Sequence, residues 1–223
     1  MHPTTFNRRG LLFAMGGLAA LSSSIARAAE KLHMTRPMAL GPFYPASHPL
    51  RVSADLTRPI GRSGRALGEV IELTGRVLTV DGKTVPGARV EIWQANAAGR
   101  YFHGGDHNPA PLDPNFTGYS YQTTDEQGRY RFLTIKPGAY PAGDYIRSAH
   151  IHFDIEGKVD RLITQLYMPA DAKILAQDQT LQHDLWQDHG PVPREVFGNW
   201  TRGGSTLEKG AALCEFDIIL MDG

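Results

Sequence analysis

The sequence has very little cysteine and no excess of charge of either sign. Its 223 residues include one cysteine, Cys214, so no disulfide can form within the chain. Cys214 lies in an apolar stretch with nothing electropositive around it, which is typical of a buried and unreactive thiol. Lysine and arginine number 23, as do aspartate and glutamate. This balance gives no electrostatic basis for binding nucleic acid or an anionic membrane.

The sequence also lacks repeats, low-complexity tracts and apolar runs long enough to span a membrane. Its length suits one well-buried domain. The most apolar stretch follows Arg8 and Arg9 near the start, and it is too short for a comfortable membrane span. The small-x-small pattern of a cleavage site, Ala26-Arg27-Ala28, comes after it. This order predicts a secretory signal of the twin-arginine type at residues 1–28. We therefore expect an exported protein, periplasmic or extracellular, with no stable membrane association once the signal is removed.

The chain after the predicted signal divides into an irregular part and a β-like part. Residues 29–68 are rich in proline, glycine, serine and arginine without sustained periodicity, which predicts an extended arm. From residue 69 onwards, short β-rich runs alternate with turn signals, and the Asp-Gly pair at 81–82 predicts a hairpin. The expected strands are 69–79, 89–93, 129–135, 150–155, 162–168 and 212–221.

These strands predict an all-β fold with a single β-sandwich domain over residues 69–223. The remaining segment, residues 170–210, is polar and irregular, with a helical turn expected near residues 178–185. The sequence gives no sign of a second domain. Any site must therefore lie on the sandwich or in its connecting loops.

Two histidines in the run His150-Ile151-His152-Phe153 have the spacing of metal ligands on a strand. Side chains alternate along a strand, so both imidazoles should point to one side while the two apolar residues face the core. Two such imidazoles can bind one metal ion, although two polar residues on a solvated face would show the same pattern. Asp154 shares the parity of the histidines, so a zinc or ferrous site with a carboxylate ligand remains an alternative.

Two tyrosines, Tyr101 and Tyr140, follow glycine-containing turns and are expected at exposed positions. A phenolate is a hard anionic oxygen donor that favours a high-valent cation such as ferric iron, and a bound cation can deprotonate the phenol. Either tyrosine alone could equally be a packing aromatic with a hydrogen-bonded hydroxyl. The residues by themselves therefore leave the metal open.

Longer stretches of the chain match a known family. The matching stretches are residues 40–45, 73–77, 90–101, 112–116, 134–141, 147–153 and 162–167. From about residue 40 to its end the chain resembles the intradiol ring-cleavage dioxygenases, and within them the β-type subunits of the protocatechuate branch. The resemblance implies cleavage of a catechol-type ring by dioxygen between the two hydroxylated carbons, which gives a muconate-type diacid.

The resemblance also implies the cofactor, a non-haem ferric ion, and its ligands. Tyr101 and His150 would be the equatorial ligands, and Tyr140 and His152 the axial pair. A catechol would bind through both of its oxygens and displace Tyr140, which gives this tyrosine a catalytic role as well.

Two further side chains receive roles by the same resemblance. Arg147 would lie beside the substrate and stabilise developing negative charge. Gln165 would be a hydrogen-bonding group next to the ligands. Ala142 stands where the protocatechuate enzymes carry a tryptophan, which predicts a larger or reshaped pocket mouth.

Partners and a second class of function complete the expectations. The resemblance implies a catecholic substrate and dioxygen, and a homo-oligomer or an αβ-type assembly. The alternative function is an exported β-sandwich module that binds or supports without turnover, because such modules share the turn chemistry of residues 125–128 and 137–138. The combination of Tyr101 with the two histidines argues against that alternative, since a scaffold needs neither.

Overall fold

The computed structural model describes residues 31–47, 52–169, 172–186 and 194–223, and β-strands predominate there. The strands in these ranges are β1 Val70–Thr79, β2 Arg89–Gln94, β3 Tyr119–Thr123, β4 Arg129–Ile135, β5 Tyr140–Ala142, β6 Tyr145–Arg147, β7 His150–Glu156, β8 Arg161–Tyr167, β9 Asn199–Thr201, β10 Ala212–Glu215 and β11 Ile218–Leu220. Two helices, α1 Ala172–Gln177 and α2 Gln179–Trp186, and a 3-10 turn at Arg194–Phe197 complete the elements. The predicted signal at residues 1–28 lies outside the described residues.

Two sheets enclose one apolar core. In the first, β4 runs antiparallel along one edge of β1, and β10 followed by β11 runs parallel along the other edge, with β9 outside β10. The second sheet has the order β3-β2-β7-β8 with antiparallel neighbours throughout. Ile71 and Leu73 of β1 share one cluster of buried side chains with Ile151 and Phe153 of β7. The two sheets therefore form a β-sandwich.

The predicted strands are confirmed at β1, β2, β4, β7 and β8. The predicted hairpin after β1 forms but is short, with the Thr79 amide donating to the Lys83 carbonyl at 2.8 Å and the Val85 amide to the Val77 carbonyl at 3.0 Å. The turn forms, with the Gly82 amide donating to the Thr79 carbonyl at 2.8 Å. The returning chain then makes a single bridge between Leu78 and Thr84. Pro86 follows almost at once and has no amide hydrogen to extend a ladder. The main partners of β1 are β4, β10 and β11, which are remote from it in sequence.

The segment around residues 170–210 is more regular than the sequence suggests, because it contains the helices α1 and α2. Asp178 joins them and caps α2, since its Oδ1 accepts a hydrogen bond from the Leu181 amide at 2.9 Å. Leu175 and Leu181 pack with Tyr167 in a small cluster. Because the two helices carry so few apolar residues, the sequence shows little helical periodicity here. The fold is therefore mostly β rather than all-β.

Residues 31–40 of the arm before β1 have no regular secondary structure and lie along the sandwich. The amide of Thr35 donates to the Ile219 carbonyl, and that of Met38 donates to the Ile163 carbonyl, both at 2.9 Å. These bonds lead the chain from β11 across to β8. The arm thereby reaches the outer face of the second sheet. Among the described residues, no helix has the length and apolarity needed to cross a bilayer.

Candidate metal centre

His150 and His152 lie side by side on β7, on the face of the second sheet that points away from the core. Their Nε2 atoms are 3.0 Å apart, and each side chain is only about 1% exposed. Ile151 and Phe153 point the opposite way, into the core. The alternation predicted from the sequence is therefore present, and it brings two imidazole nitrogens together.

Tyr101 reaches the histidines from the loop between β2 and β3. Its Oη lies 3.3 Å from His150 Nε2. The loop is held by two side chains: Asp106 Oδ2 accepts from the Tyr101 amide at 2.7 Å, and Asn96 Oδ1 accepts from the Arg100 amide at 3.0 Å. These bonds fix the backbone directly beside the phenol.

Tyr140 begins β5 and stands edge-on to Tyr101, with ring centroids 5.4 Å apart and planes at 89°. Its ring centroid lies 5.7 Å from that of His150. The expectation that the two tyrosines are exposed is wrong, because they are 3% and 5% exposed. Phe43 of the arm covers both rings, at 4.8 Å from Tyr101 and 6.3 Å from Tyr140. This cover comes from a segment far away in sequence.

A glycine permits the close approach of the two tyrosine-bearing loops. Gly99 has φ +82°, and a Cβ there would come within 2.3 Å of the Ala139 carbonyl oxygen. Any other residue would push the loop that carries Tyr101 away from the strand that begins at Tyr140. The glycine-containing turns noted in the sequence thus position the tyrosines rather than expose them.

The protonation of these groups suits metal binding. His150 Nδ1 lies 2.6 Å from the Ser148 carbonyl oxygen, which requires a proton on Nδ1 and leaves the Nε2 lone pair facing Tyr101. Burial lowers the pKa of both imidazoles well below the ordinary value, and the nearby Arg147 adds to this effect, so both are neutral. Burial raises the pKa of Tyr101, so its phenol keeps its proton unless a cation displaces it.

The donor set fits a hard, high-valent cation. Two neutral imidazoles and two phenol oxygens converge, and His152 Nδ1 is buried without a hydrogen-bond partner among the described residues. The carboxylate alternative lacks support, because Asp154 accepts two hydrogen bonds from Arg161, at 2.7 and 3.0 Å. The described part of the chain contains no group of three or more His, Cys, Asp and Glu side chains placed to hold a metal.

Arg147 and Gln165 form a second layer behind the four candidate ligands. Arg147 ends β6 directly opposite Tyr140. Its Nη2 donates to Gln165 Oε1 at 2.7 Å and to Tyr167 Oη at 3.0 Å. Gln165 Nε2 donates to the Ala39 carbonyl at 2.7 Å. Within the described residues, Gln165 therefore bonds to Arg147 and the arm rather than to a candidate ligand.

The sequence reasoning missed three residues of this layer. Tyr167 has the parity of Gln165 on β8 and faces His150 with ring centroids 5.4 Å apart, so alternation could have identified it. Trp93, whose indole covers His152, could have been found only by pairing β2 with β7. Asp178, which accepts from Arg147 Nε at 3.1 Å, gave no signal because it lies in a helical segment far from the strands.

Two tyrosines and two histidines gathered on the outer face of the sandwich suit one hard metal ion, which indicates a metal-dependent enzyme. The family profile described as Dioxygenase matches residues 40–220. The chain belongs to the intradiol ring-cleavage dioxygenases. This family uses non-haem ferric iron.

Individual relatives agree with this assignment. The chain is 47% identical over 210 residues to the protocatechuate 3,4-dioxygenase beta chain of Burkholderia cepacia, which covers 87% of this chain and 86% of that one. It is 31% identical over 170 residues to the catechol 1,2-dioxygenase of Candida albicans, covering 68% of this chain and 52% of the relative. The chain thus spans about half the length of that second relative.

Among solved structures, the 3-chlorocatechol 1,2-dioxygenase of Rhodococcus opacus 1CP superposes with a TM-score of 0.62. The sequence identity is 20%, and the match covers 84% of this chain and 72% of that chain. At this identity the likeness concerns the fold. It supports the packing of the two sheets described above.

Proposed function

We propose that the protein cleaves a catechol-type ring between its two hydroxylated carbons with dioxygen, at a ferric ion held by Tyr101, Tyr140, His150 and His152. The product is a muconate-type diacid. The observation that carries the proposal is the convergence of His150 Nε2 with His152 Nε2, at 3.0 Å, and with Tyr101 Oη, at 3.3 Å. A ferric ion bound by these four side chains would supply the chemistry that makes a catechol reactive towards dioxygen.

Tyr140 supplies a base in this proposal. Burial raises the pKa of its phenol above the ordinary value. As a phenolate, Tyr140 would therefore be strongly basic, and its Oη would take a proton from a catechol hydroxyl as the substrate enters.

The other residues hold the site and its charge. The Ser148 carbonyl fixes the tautomer and ring plane of His150. The Arg147 guanidinium is a permanent cation buried beside Tyr140, where low polarity strengthens its attraction for negative charge that develops on the ring. Phe43 and Trp93 exclude water from the candidate ligands.

We propose that the pocket takes substituted catechols other than protocatechuate. Ala142 is half-buried, lies two residues after Tyr140 on the same strand, and packs against the aromatic cluster of the site. Ala142→Trp should lower kcat/KM for ring-substituted catechols other than protocatechuate more than for catechol itself, with Ala142→Ser as the matched control. Equal changes for every substrate would contradict a pocket-shaping role.

We also propose how the protein is delivered and assembled. The arginine pair at residues 8–9 directs a folded chain out of the cytoplasm. Replacement of both arginines by lysine should retain the protein in the cytoplasmic fraction. The relative from Burkholderia cepacia is named a beta chain, and we propose a homo-oligomer or an αβ-type assembly, which light scattering of the purified protein distinguishes from a monomer.

The visible absorption spectrum of the purified protein tests the central proposal. Ferric iron bound by tyrosinate should give a red-brown charge-transfer band that shifts on anaerobic addition of catechol, followed by ring-cleaved product when air is admitted. A protein that contains no iron and stays colourless after ferric reconstitution would contradict the proposal. It would leave the alternative of a sandwich module without turnover.

A further inference from the structure

Asp178 is a fully buried carboxylate at the junction of α1 and α2. Its Oδ1 accepts from the Leu181 amide at 2.9 Å, and its Oδ2 accepts from the Ser148 amide at 2.7 Å. Asparagine or serine would cap a helix as well as aspartate does. A buried charge is costly unless a partner compensates it. The negative charge of Asp178 is therefore explained by its ion partner rather than by the helix.

That partner is Arg147, whose Nε lies 3.1 Å from Asp178 Oδ1. On the other side of the guanidinium, Nη2 donates to Gln165 and Tyr167. The guanidinium is planar, so anchoring it at Nε and at Nη2 fixes both its position and its plane. Rotation of the arginine side chain would break the ion pair and the bond to Gln165 together.

A second connection runs from α2 to the same glutamine. Asp184 Oδ2 accepts from the Ala39 amide at 3.1 Å, and the Ala39 carbonyl accepts from Gln165 Nε2 at 2.7 Å. The hydrogen bonds thus form a chain from Asp178 through Arg147, Gln165 and Ala39 to Asp184, and the backbone of α2 joins the two ends. Helix α2 holds both the arginine and the arm segment that leads to the site.

We infer that Asp178 is a positioning residue, which holds Arg147 in the orientation that stabilises charge on the substrate and thereby makes α2 part of the active-site support. The inference rests on the function proposed above. Asp178 lies behind the arginine, and its Oδ2 also accepts from the Ser148 amide, whose residue holds His150 through its carbonyl. The effect of its charge passes through Arg147, whereas an effect through Ser148 would change His150 and therefore the iron content. The ion pair in this view matters for catalysis more than for iron binding.

Asp178→Asn tests the inference, because asparagine keeps the volume but loses the charge. Its one oxygen can still cap α2 at the Leu181 amide, and its N–H group then replaces the oxygen that faces the Ser148 amide. We expect kcat for catechol to fall roughly 10–100-fold, with a smaller change in KM and with iron content and the resting visible band retained. The matched control is Thr180→Ala, which removes the hydrogen bond from α2 to Tyr145, 2.9 Å long, without touching Arg147. It should leave kcat unchanged. Wild-type kcat in Asp178→Asn would overturn the inference.

A double variant separates positioning from a general structural role. If Asp178 acts through Arg147, then Asp178→Asn added to Arg147→Ala should change kcat/KM by less than about twofold. Losses that multiply would show that the two residues act independently and would overturn the inference.

A measurement that does not require turnover tests the inference independently of the proposed function. In metal-free protein, the Nε–H signal of Arg147 in an arginine-labelled NMR spectrum should exchange slowly in the wild type and in Thr180→Ala. It should exchange much faster in Asp178→Asn. Slow exchange in Asp178→Asn would overturn the inference even if the protein is an active dioxygenase. A protein with no ferric band and no turnover, but with the expected exchange pattern, would reject the proposed function alone.

Discussion

Trp93 stacks face to face on His152, with ring centroids 4.7 Å apart and ring planes 6° from parallel. The two residues are direct cross-strand neighbours on β2 and β7, so the sheet register itself sets the overlap. Tyr44 of the arm meets the indole edge-on at 4.9 Å. The stack fixes the plane of an imidazole whose Nε2 must point towards His150, and it does so without using a hydrogen bond.

Replacement of Trp93 should therefore affect iron retention according to the shape of the new side chain. Trp93→Phe can still stack on His152, whereas Trp93→Leu cannot, although both lose volume and the buried indole. Both variants should lose less unfolding free energy than the roughly 3–5 kcal/mol that truncation of a buried aromatic to alanine costs. Only the leucine variant should lose iron affinity, by roughly 10–100-fold. Iron analysis after dialysis against a chelator measures this difference, and equal retention in both variants would contradict the role of the stack.

Tyr101→Phe should change colour and activity, because Tyr101 Oη is the oxygen beside His150 Nε2. Turnover should fall by more than the roughly 10–100-fold that loss of an outer partner of a metal ligand costs. Tyr130 provides a matched control: it is also fully buried, but its hydroxyl donates to the Phe216 carbonyl in the core. Tyr130→Phe should keep the visible band and turnover and lose about 1–3 kcal/mol of stability. The same spectrum in wild type and Tyr101→Phe would argue against Tyr101 as a ligand.

The sequence predicts most reliably those parts of the site that depend on local periodicity. Alternation along β7 is enough to put His150 and His152 on one face and Ile151 in the core, because the period of two is a property of the strand itself. Similarly, the alternation of apolar residues along β1 predicts from its own sequence which side chains face the core. The main strands and the paired histidines could therefore be predicted before any tertiary contact was known.

The parts that sequence reasoning misses depend on contacts between distant segments. Burial of Tyr101 and Tyr140 comes from Phe43 in the arm, and no local pattern around either tyrosine indicates that cover. The carboxylate that holds Arg147 comes from Asp178, 31 positions along the chain. Strand β3 was missed because it carries tyrosine, serine, glutamine and threonine in place of an alternating apolar pattern.

Glu72 should make the protein sensitive to acid. Burial alone would raise the pKa of this carboxyl, but hydrogen bonds from Ser205, Thr206 and Leu207 and the nearby Arg131 guanidinium outweigh burial and lower it. A carboxyl whose folded pKa lies below its unfolded value stabilises the fold at pH above the unfolded value of about 4.3. That stability is lost as the pH falls through the folded pKa.

Glu72→Gln is therefore expected to cost about 1–3 kcal/mol of unfolding free energy at pH 7, because a buried charged acceptor of several hydrogen bonds is replaced by a neutral one. The difference from wild type should narrow as the pH falls below about 4. Urea unfolding of both proteins at a series of pH values measures this difference in unfolding free energy. Glu69→Gln changes an exposed carboxylate directly before the same strand and should alter stability by less than about 0.5 kcal/mol. A difference in unfolding free energy between wild type and Glu72→Gln that stays constant at all pH values would contradict a lowered pKa for Glu72 in the folded protein.

Gly41 and Gly82 allow backbone strain to be separated from contact with the site. Both have left-handed backbones, with φ of +75° and +76°. A Cβ on Gly82 would meet nothing within 4 Å, whereas a Cβ on Gly41 would lie 3.0 Å from His152 Cε1. Alanine at either position should cost roughly 1–2 kcal/mol of stability, because left-handed backbone is unfavourable for residues with a Cβ.

Only Gly41→Ala should also weaken iron binding and turnover. His152 is held between β7 and the Trp93 indole, so it cannot yield to a new methyl group without turning its Nε2 away from His150. Both alanine variants carry the same backbone strain. A difference between their iron affinities therefore reports on the contact with His152 alone. A lower iron affinity in Gly41→Ala than in Gly82→Ala would show that the arm shapes the metal centre directly. Equal affinities would mean that the arm only covers the site.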